Sequence, residues 1–381
     1  MPTDREKPSV RSQSDALPHL TRNGFNAIHQ ELGKIPRILL IRLRSLGDSI
    51  LTLPLIEALH KWRPELELDI LAETPFVPVF EHHPAVHKVL ILKTRQQGDC
   101  AGWSRPRALW EIWKQRYPAV INLHGGTTSR LFTIASRARM RMGQALHRGS
   151  WIYNIQIPSS SDIWQRNSIH TVEHQLTVMR WLGLPLPGEP ASSLHVGEDA
   201  RRRIQARLKQ AGISEYLLIH PTATLATKQW KPECFGQLGD LLFRRYGLPV
   251  IYTAAAHELP VLQKIQKQSK EIHSFWADLP LADLFALIEG CHLFVGNDSG
   301  PTHAAAALSK PVVVVWGSSN FAAWHPWNTL YEAVRSDLPC IPCPGYKCAV
   351  YKEPKCILDI TVERVADACN RILTRLTPNS P

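Results

Sequence analysis

The sequence predicts an α/β protein of two doubly wound domains, and three observations carry that prediction. Short β-branched and Leu-rich runs alternate with amphipathic segments along both halves of the chain. A Pro- and Gly-rich stretch, LGLPLPGE at 182–189, separates the halves. The length, 381 residues, suffices for two cores at roughly 150 residues per domain. In order, Arg37–Arg42 (RILLIR) reads as a strand, Arg44–Asp48 as a polar turn and Ser49–Trp62 as a helix. Leu66–Leu71 and Lys88–Leu92 read as strands, Ala108–Arg116 as a helix, and Ala119–Leu123 as a strand entering His124-Gly125-Gly126. After a boundary near 185–198 come helix Glu198–Gln210, strand Tyr216–His220, helix Phe235–Arg245 and strand Pro249–Thr253. Helices Leu259–Lys267 and Leu281–Ile288, strand Leu293–Val295, helix Thr302–Ala307, strand Val312–Trp316 and a last helix Thr361–Leu376 follow. The expected organisation is a leader over 1–35, a first domain over 36–190 and a second over 191–338. A cysteine cluster and terminal helix over 339–381 are expected to pack back toward the first domain.

Composition narrows the function classes. Hydrophobic residues at 44% and charged residues at 20% match ordinary soluble proteins and argue against a disordered, collagen-like or rod-like chain. The best apolar run, Ala304–Trp316, is short and broken by Ser309 and Lys310, so no membrane span is expected. The first 35 residues hold no apolar secretory core, which makes a cytoplasmic address the default. A net charge of +11 favours anionic partners. Between Arg95 and Arg148 ten Lys or Arg face two acids, and Arg130, Arg137, Arg139 and Arg141 are the candidates there for an anionic acceptor. Interleaved aromatic platforms and nucleic-acid recognition motifs are not evident in the pattern, so no nucleic acid is expected.

Three segments can carry chemistry, each at the end of an expected strand. Neither half has a G-x-G-x-x-G or a Walker sequence, so any phosphate must be held by another device. FVGNDSGPTH (Phe294–His303) leads into a helix, where free N–H groups at a positive dipole end suit a diphosphate. Helix capping by Asp298 or Ser299, and a packed core role for His303, fit the same residues. HPTATLATKQWKPE (220–233) offers hydroxyls at Thr222, Thr224 and Thr227 and a compact charge at Lys228, which also suits a solvated surface lysine. RLRSLGDS (Arg42–Ser49) places Asp48 either as an N-cap or as a general base facing the other domain.

Together the runs ILLIRLRSLGDSILTLPLIEALHKWRPELELDIL, TATLATKQWKPECF and LFVGNDSGPTHAAAALSKPVVVVWG, in that order, resemble the glycosyltransferase family 9 heptosyltransferases. The resemblance spans about Ile35 to Arg375 and is closest to the heptosyltransferase II branch. It implies the GT-B architecture, two Rossmann-like domains facing a central cleft. It also implies inverting transfer of heptose from ADP-L-glycero-D-manno-heptose to the lipopolysaccharide inner core. Carried over, Asp48 is the catalytic base and Lys228 the diphosphate partner. Asp298 falls at the heptose, and Ser299, Gly300, Pro301 and His303 form the phosphate-facing loop. Thr224 matches a phosphate-contacting hydroxyl, Glu258 a ribose contact and Leu279 an apolar residue against adenine. Ala223 stands where a second hydroxyl is often found, and Ala255-Ala256 where the family often has two glycines.

No metal is needed for such a transfer, because Lys228 and the helix N-terminus can take up the diphosphate charge. The implied partners are an ADP-sugar, a lipopolysaccharide core acceptor and the anionic inner-membrane surface, approached by a monomer from the cytoplasm. A family 9 transferase for another sugar or surface glycan is the alternative, and a non-catalytic sugar-nucleotide or nucleic-acid binder the one from another class. Cys340, Cys343, Cys348 and Cys356, spaced C-x2-C-x4-C-x7-C, can close a tetrahedral structural zinc site or form a reduced packing cluster. Cys100, Cys234, Cys291 and Cys369 read as ordinary buried thiols.

Overall fold

The structure, a computed structural model, describes residues 28–93, 101–186, 188–343 and 345–376, without the side chains of 101–104. The expected leader therefore lies mostly outside the described residues, as do Arg95, Asp99 and Cys100. A helical turn, α1 (28–32), precedes the first strand.

Strands β1 (Arg37–Ile41), β2 (Glu67–Glu73), β3 (Val86–Leu92), β4 (Ala119–Asn122), β5 (Met140–Gln144) and β6 (Ile155–Ile157) form one sheet, in the order β3-β2-β1-β4-β5-β6. Strands β7 (Leu217–His220), β8 (Val250–Ala254), β9 (Ser274–Ala277), β10 (Leu293–Asn297), β11 (Val312–Trp316) and β12 (Tyr331–Arg335) form the second, in the order β12-β11-β10-β7-β8-β9. Every pairing is parallel, so each connection must cross a face, and the central strands read as continuous apolar runs. Leu39, Leu40 and Ile41 are wholly buried, as are Val312–Val315.

The two sheets share one topology. In each, the chain reverses direction between the first strand and the fourth, between β1 and β4 and between β7 and β10. Such a switch point leaves a crevice beyond the carboxyl ends of the strands, where ligands of doubly wound folds bind. The helices that start in these crevices are α2 (Leu46–Ile50), continued after a short break by α3 (Leu53–Trp62), and α12 (Gly300–Ala307).

Two helices have boundaries that follow directly from their sequence. In α9 (Pro232–Tyr246), Pro232 occupies the first turn, where its missing N–H costs no bond, and Gly247 ends the helix in the left-handed region at φ 67°. The α2 segment starts three residues earlier than the expected Ser49, so Asp48 lies inside a helical turn and Ser45 takes the N-cap place without a side-chain cap bond.

The expectation that the terminal segment returns to the first domain is corrected. Helix α15 (Val362–Leu376) lies against α9, β11 and β12 of the second sheet. Its apolar stripe explains this: Val365, Cys369 and Ile372 are fully buried in a core shared with Leu238, Val313 and Val315. Arg371 and Arg375 add ion pairs to Glu332 on β12.

Candidate active site

The cleft is built from the strand ends at the two switch points. From the first sheet, the turn after β1 carries Asp48, whose carboxylate accepts from Ser45 Oγ at 3.1 Å and lies 3.7 Å from Arg42 Nη1. Arg42 is buried and is also tied to Thr52 Oγ1 at 3.2 Å. Burial lowers its pKa and the Asp48 carboxylate opposes that. The Asp48 side chain itself is about one-third exposed, 31%, so a substrate hydroxyl can reach it.

From the second sheet, β10 delivers Asn297 and Asp298, and β7 delivers the loop from His220 to Lys228. Asn297 joins the two. Its amide donates to Pro221 O at 2.9 Å, and its oxygen accepts from the Trp230 N–H at 3.1 Å. The loop so pinned brings Lys228 Nζ to 2.7 Å from Asp298 Oδ2, which Ser319 Oγ also approaches. His303 Nε2 lies 3.9 Å from the other Asp298 oxygen. Burial holds the His303 pKa below its usual value and Lys228 pushes the same way, against the Asp298 and Asp48 carboxylates. Ser299 takes the N-cap place of α12 without making a cap bond. Its Oγ and the Nδ1 of His303 are buried without hydrogen-bond partners.

Helices α2 and α12 meet across the cleft through two glycines. A Cβ on Gly47 would stand 3.1 Å from His303 Cδ2, and one on Gly300 would stand 2.7 Å from Leu46 Cδ2. A side chain at Gly300 does not fit unless α2 shifts, whereas one at Gly47 requires the His303 ring to give by a few tenths of an ångström. Beside it opens a cavity of about 460 Å³ lined by Gly47, Phe76, Thr224, Glu258, Leu279, Leu284, Ser299, Gly300 and Pro301 among others. Its walls are apolar at Phe76, Leu279 and Leu284. Glu258 supplies a carboxylate held by Thr222 Oγ1 at 2.8 Å and the Ala255 N–H at 3.0 Å. An apolar slot with one fixed carboxylate and a helix N-terminus suits a nucleoside joined to a phosphate.

The residues singled out in the sequence divide accordingly. Asp48, Thr224, Lys228, Glu258, Leu279, Asp298, Ser299, Gly300, Pro301 and His303 gather around the cleft. Thr227 does not offer its hydroxyl there; it donates to Gly345 O and accepts from Ser318 Oγ. The four arginines are not brought together. Arg137 and Arg139 lie in the turn before β5, at the amino-terminal edge of the sheet, and Arg139 pairs with Glu31 at 3.5 Å. Arg141 is held by the carbonyls of Ile152 and Ala138. Arg130 lies in α5 (Thr127–Ala135), near the carboxyl end of β4, and is bound to Arg148 O. Around Asp48 stand instead Arg42, Arg44, His124 and His174, whose charges act on one another. Sequence reading missed these and Asn297. Arg42 and Arg44 were legible as neighbours of the Asp48 turn, whereas the histidines arrive from distant elements.

The four clustered cysteines line one small cavity with Thr227 and Ser318, and Cys343 N donates to Ser318 O at 2.9 Å. Burial and the three neighbouring thiols raise the Cys356 pKa to about 11. Their sulfurs do not close to ligand spacing: among the described residues, the set with ligand atoms within 4.8 Å of one another is Glu57, His83 and His195. There His83 Nδ1 accepts from the Ala85 N–H, which leaves the ring proton on Nε2, 3.2 Å from Glu57. The Glu57 oxygen lies close to that nitrogen without a hydrogen bond of good geometry, and His195 Nε2 is likewise buried without a partner.

A family model described as glycosyltransferase family 9 (heptosyltransferase) matches residues 107–353. The chain belongs to glycosyltransferase family 9. This transferase is 27% identical over 293 residues to lipopolysaccharide heptosyltransferase 3 of Escherichia coli K12, a match covering 75% of this chain and 84% of that protein. Its structure superposes on E. coli ADP-heptose lps heptosyltransferase II with a TM-score of 0.72 at 20% identity, covering 89% and 99% of the two chains. It superposes on E. coli heptosyltransferase WaaC with ADP-2-deoxy-2-fluoro heptose at a TM-score of 0.66 and 20% identity, covering 90% of this chain and 100% of the other. These likenesses establish the GT-B fold for the glycosyltransferase. Among its described residues no helix is long and apolar enough to cross a membrane.

Proposed function

We propose that this chain transfers a heptose from an ADP-heptose to the inner core of lipopolysaccharide with inversion at the anomeric carbon. The observation that carries the reading is the meeting, in one cleft, of Asp48 from the first switch point with Lys228, Asp298 and the α12 N-terminus from the second. The names of its relatives support the acceptor class, and the ADP-sugar in the WaaC structure supports the donor class.

In this reading the nucleoside lies in the apolar slot, with adenine against Leu279 and the ribose hydroxyls on Glu258. The diphosphate meets Thr224, Ser299 Oγ and the N–H groups of Gly300 and the following turn. Lys228 keeps one N–H on Asp298 and directs its charge at the leaving oxygen, and Asp298 orients the sugar. The acceptor oxygen bonds to the anomeric carbon as the bond from that carbon to the diphosphate oxygen breaks. Asp48 takes the acceptor proton, and ADP leaves with the electron pair. The acceptor's phosphates and carboxylates face Arg42, Arg44, His124 and His174 rather than the four arginines expected from the sequence. The domain limits in this reading are 36–190 and 191–338, and no cofactor enters the chemistry. The four thiols, which do not close to ligand spacing, pack as a reduced cluster beside the Lys228 loop. The enzyme works as a monomer on the cytoplasmic side of the inner membrane.

The test is Asp48→Asn with an ADP-heptose donor and a Kdo-lipid A or heptosylated acceptor. Turnover is expected to fall by about 10²- to 10⁴-fold while ADP affinity stays at the wild-type value. Full turnover in the variant refutes the base, and wild-type turnover with a different nucleotide sugar alone refutes the donor.

A further inference from the structure

Helix α4 (Ala101–Gln115) and helix α5 lie side by side over one face of the first sheet, and their outer surface is unusual for a soluble protein. Trp110 and Trp113 are 58% and 48% exposed on one side of α4, and Leu131 and Ile134 are 53% and 52% exposed on α5. The adjoining turn adds Leu146 at 79% and Trp151 at 80%, and Arg130 ties that turn to α5 through Arg148 O. Reading the sequence revealed no aromatic platform among these cations; folding puts one on the surface. Lys114 Nζ lies 5.2 Å over the Trp110 ring and Arg137 Cζ 5.3 Å over Trp113. Glu111 is the acid on the described part of α4, and Arg107 lies 3.4 Å from it.

We propose that this face of α4 and α5, with the turn from Leu146 to Trp151, docks the enzyme on the anionic surface of a lipid bilayer. Contiguous exposed apolar side chains mark an interaction surface. Tryptophans capped by cations match the headgroup layer, where the ring meets the acyl boundary and the charge meets phosphate. The aliphatic members Leu131, Ile134 and Leu146 distinguish it from a nucleic-acid surface, where bases stack on aromatic rings. The exposed cations beside these rings, Arg105, Arg107, Lys114, Arg116 and Arg137, complement an anionic leaflet. The Leu146–Trp151 turn lies at the carboxyl edge of the sheet, the edge that bears Asp48, whereas Trp113 under Arg137 lies toward the amino-terminal edge, so the docked face runs along the helices and holds the cleft mouth beside the membrane. The purpose of the contact, though not the contact itself, rests on the lipid-linked acceptor proposed above.

The experiment is flotation of the full chain with phosphatidylglycerol/phosphatidylethanolamine vesicles and with phosphatidylcholine vesicles, without donor or acceptor. The wild type is expected to float with the anionic vesicles and to be released by high salt. Arg107→Glu with Lys114→Glu is expected to weaken binding by about fivefold or more per cation. Trp110→Ser, Trp113→Ser and Trp151→Ser together are expected to abolish flotation, with the circular dichroism melt and turnover on a delipidated acceptor unchanged. Equal flotation of wild type and both variants, or no flotation of the wild type, overturns the proposal. So does binding of single-stranded RNA at this face with no vesicle binding. Loss of transferase activity on every acceptor sinks the proposed function and leaves the vesicle result readable.

Discussion

Replacing Gly300 by alanine tests whether the contact between α2 and α12 sets the catalytic distance. The new Cβ would stand 2.7 Å from Leu46 Cδ2 and 2.8 Å from Leu46 Cβ and Cγ. Carbon atoms rest at about 3.5–4.0 Å, so the two sides must separate by about 1 Å. Leu46 Cβ is fixed to the α2 backbone and cannot swing aside, so α2 moves as a unit and carries Asp48 away from the α12 N-terminus. A displacement of about 1 Å costs about 10²-fold when the reacting groups are prepositioned. The expected result is a fall of about 10²-fold in kcat in an ADP-release assay, with a lowered urea midpoint, since overpacking costs about 1–3 kcal/mol and alanine's helix propensity returns at most about 1 kcal/mol. Adding Leu46→Ala removes Cγ and Cδ2 but leaves Cβ, so recovery should be partial, about tenfold. Turnover of Gly300→Ala within twofold of wild type, or no recovery in the double variant, refutes the reasoning.

Asp298→Ala leaves the Lys228 ammonium without its 2.7 Å partner in a largely buried site, so a loss of about 2–3 kcal/mol is expected in urea unfolding. Asn297→Ala strands the Pro221 carbonyl and the Trp230 N–H, each costing about 1–3 kcal/mol, and frees the Lys228 loop, so the donor KM should rise along with the loss of stability. Burial lowers the pKa of His83 to about 4 and of His170 to about 3. Unfolding lets both bind protons near pH 6.5, so their contribution is complete above that pH and is lost as pH falls toward the folded values, by about 1.4 kcal/mol per pH unit per histidine. His170→Asn keeps a helix-capping residue and should remove one proton from the slope measured by denaturation between pH 6.5 and 5. Elemental analysis of wild type purified without chelators should find no stoichiometric zinc, because the four sulfurs do not close to ligand spacing; about one zinc per chain, lost in Cys343→Ser, would refute the packing cluster.

The architecture was legible where side chains are buried on both faces of a sheet. β1, β2, β4, β7, β8, β10 and β11 are near-continuous apolar runs, and each was expected within a residue or two. The strands missed are β5, β6, β9 and β12. Three of these are sheet edges, and β5 lies next to one. Edge strands are covered less, so MRMGQ at β5 and YEAVR at β12 can carry Arg141, Glu332 and Arg335 without cost, and the period that reveals a strand fades. The terminal helix was found but misplaced, since its stripe shows that a face is buried and not against which sheet.

The sequence by itself determined the two doubly wound domains and the strand-end segments that carry Asp48, Lys228 and Asp298, because burial period and the loop-to-helix pattern are local properties of the chain. Only tertiary structure decided which partners those groups have. Lys228 meets Asp298 because Asn297 pins one loop to another. The cations around Asp48 are Arg42 and Arg44, joined by His124 and His174, which burial and the neighbouring positive charges push toward the neutral form, while the arginines clustered in sequence are divided between opposite edges of a sheet. Charge acts through distance in space, and a parallel fold sets that distance by which end of a strand a residue occupies, a quantity that spacing along the chain does not carry.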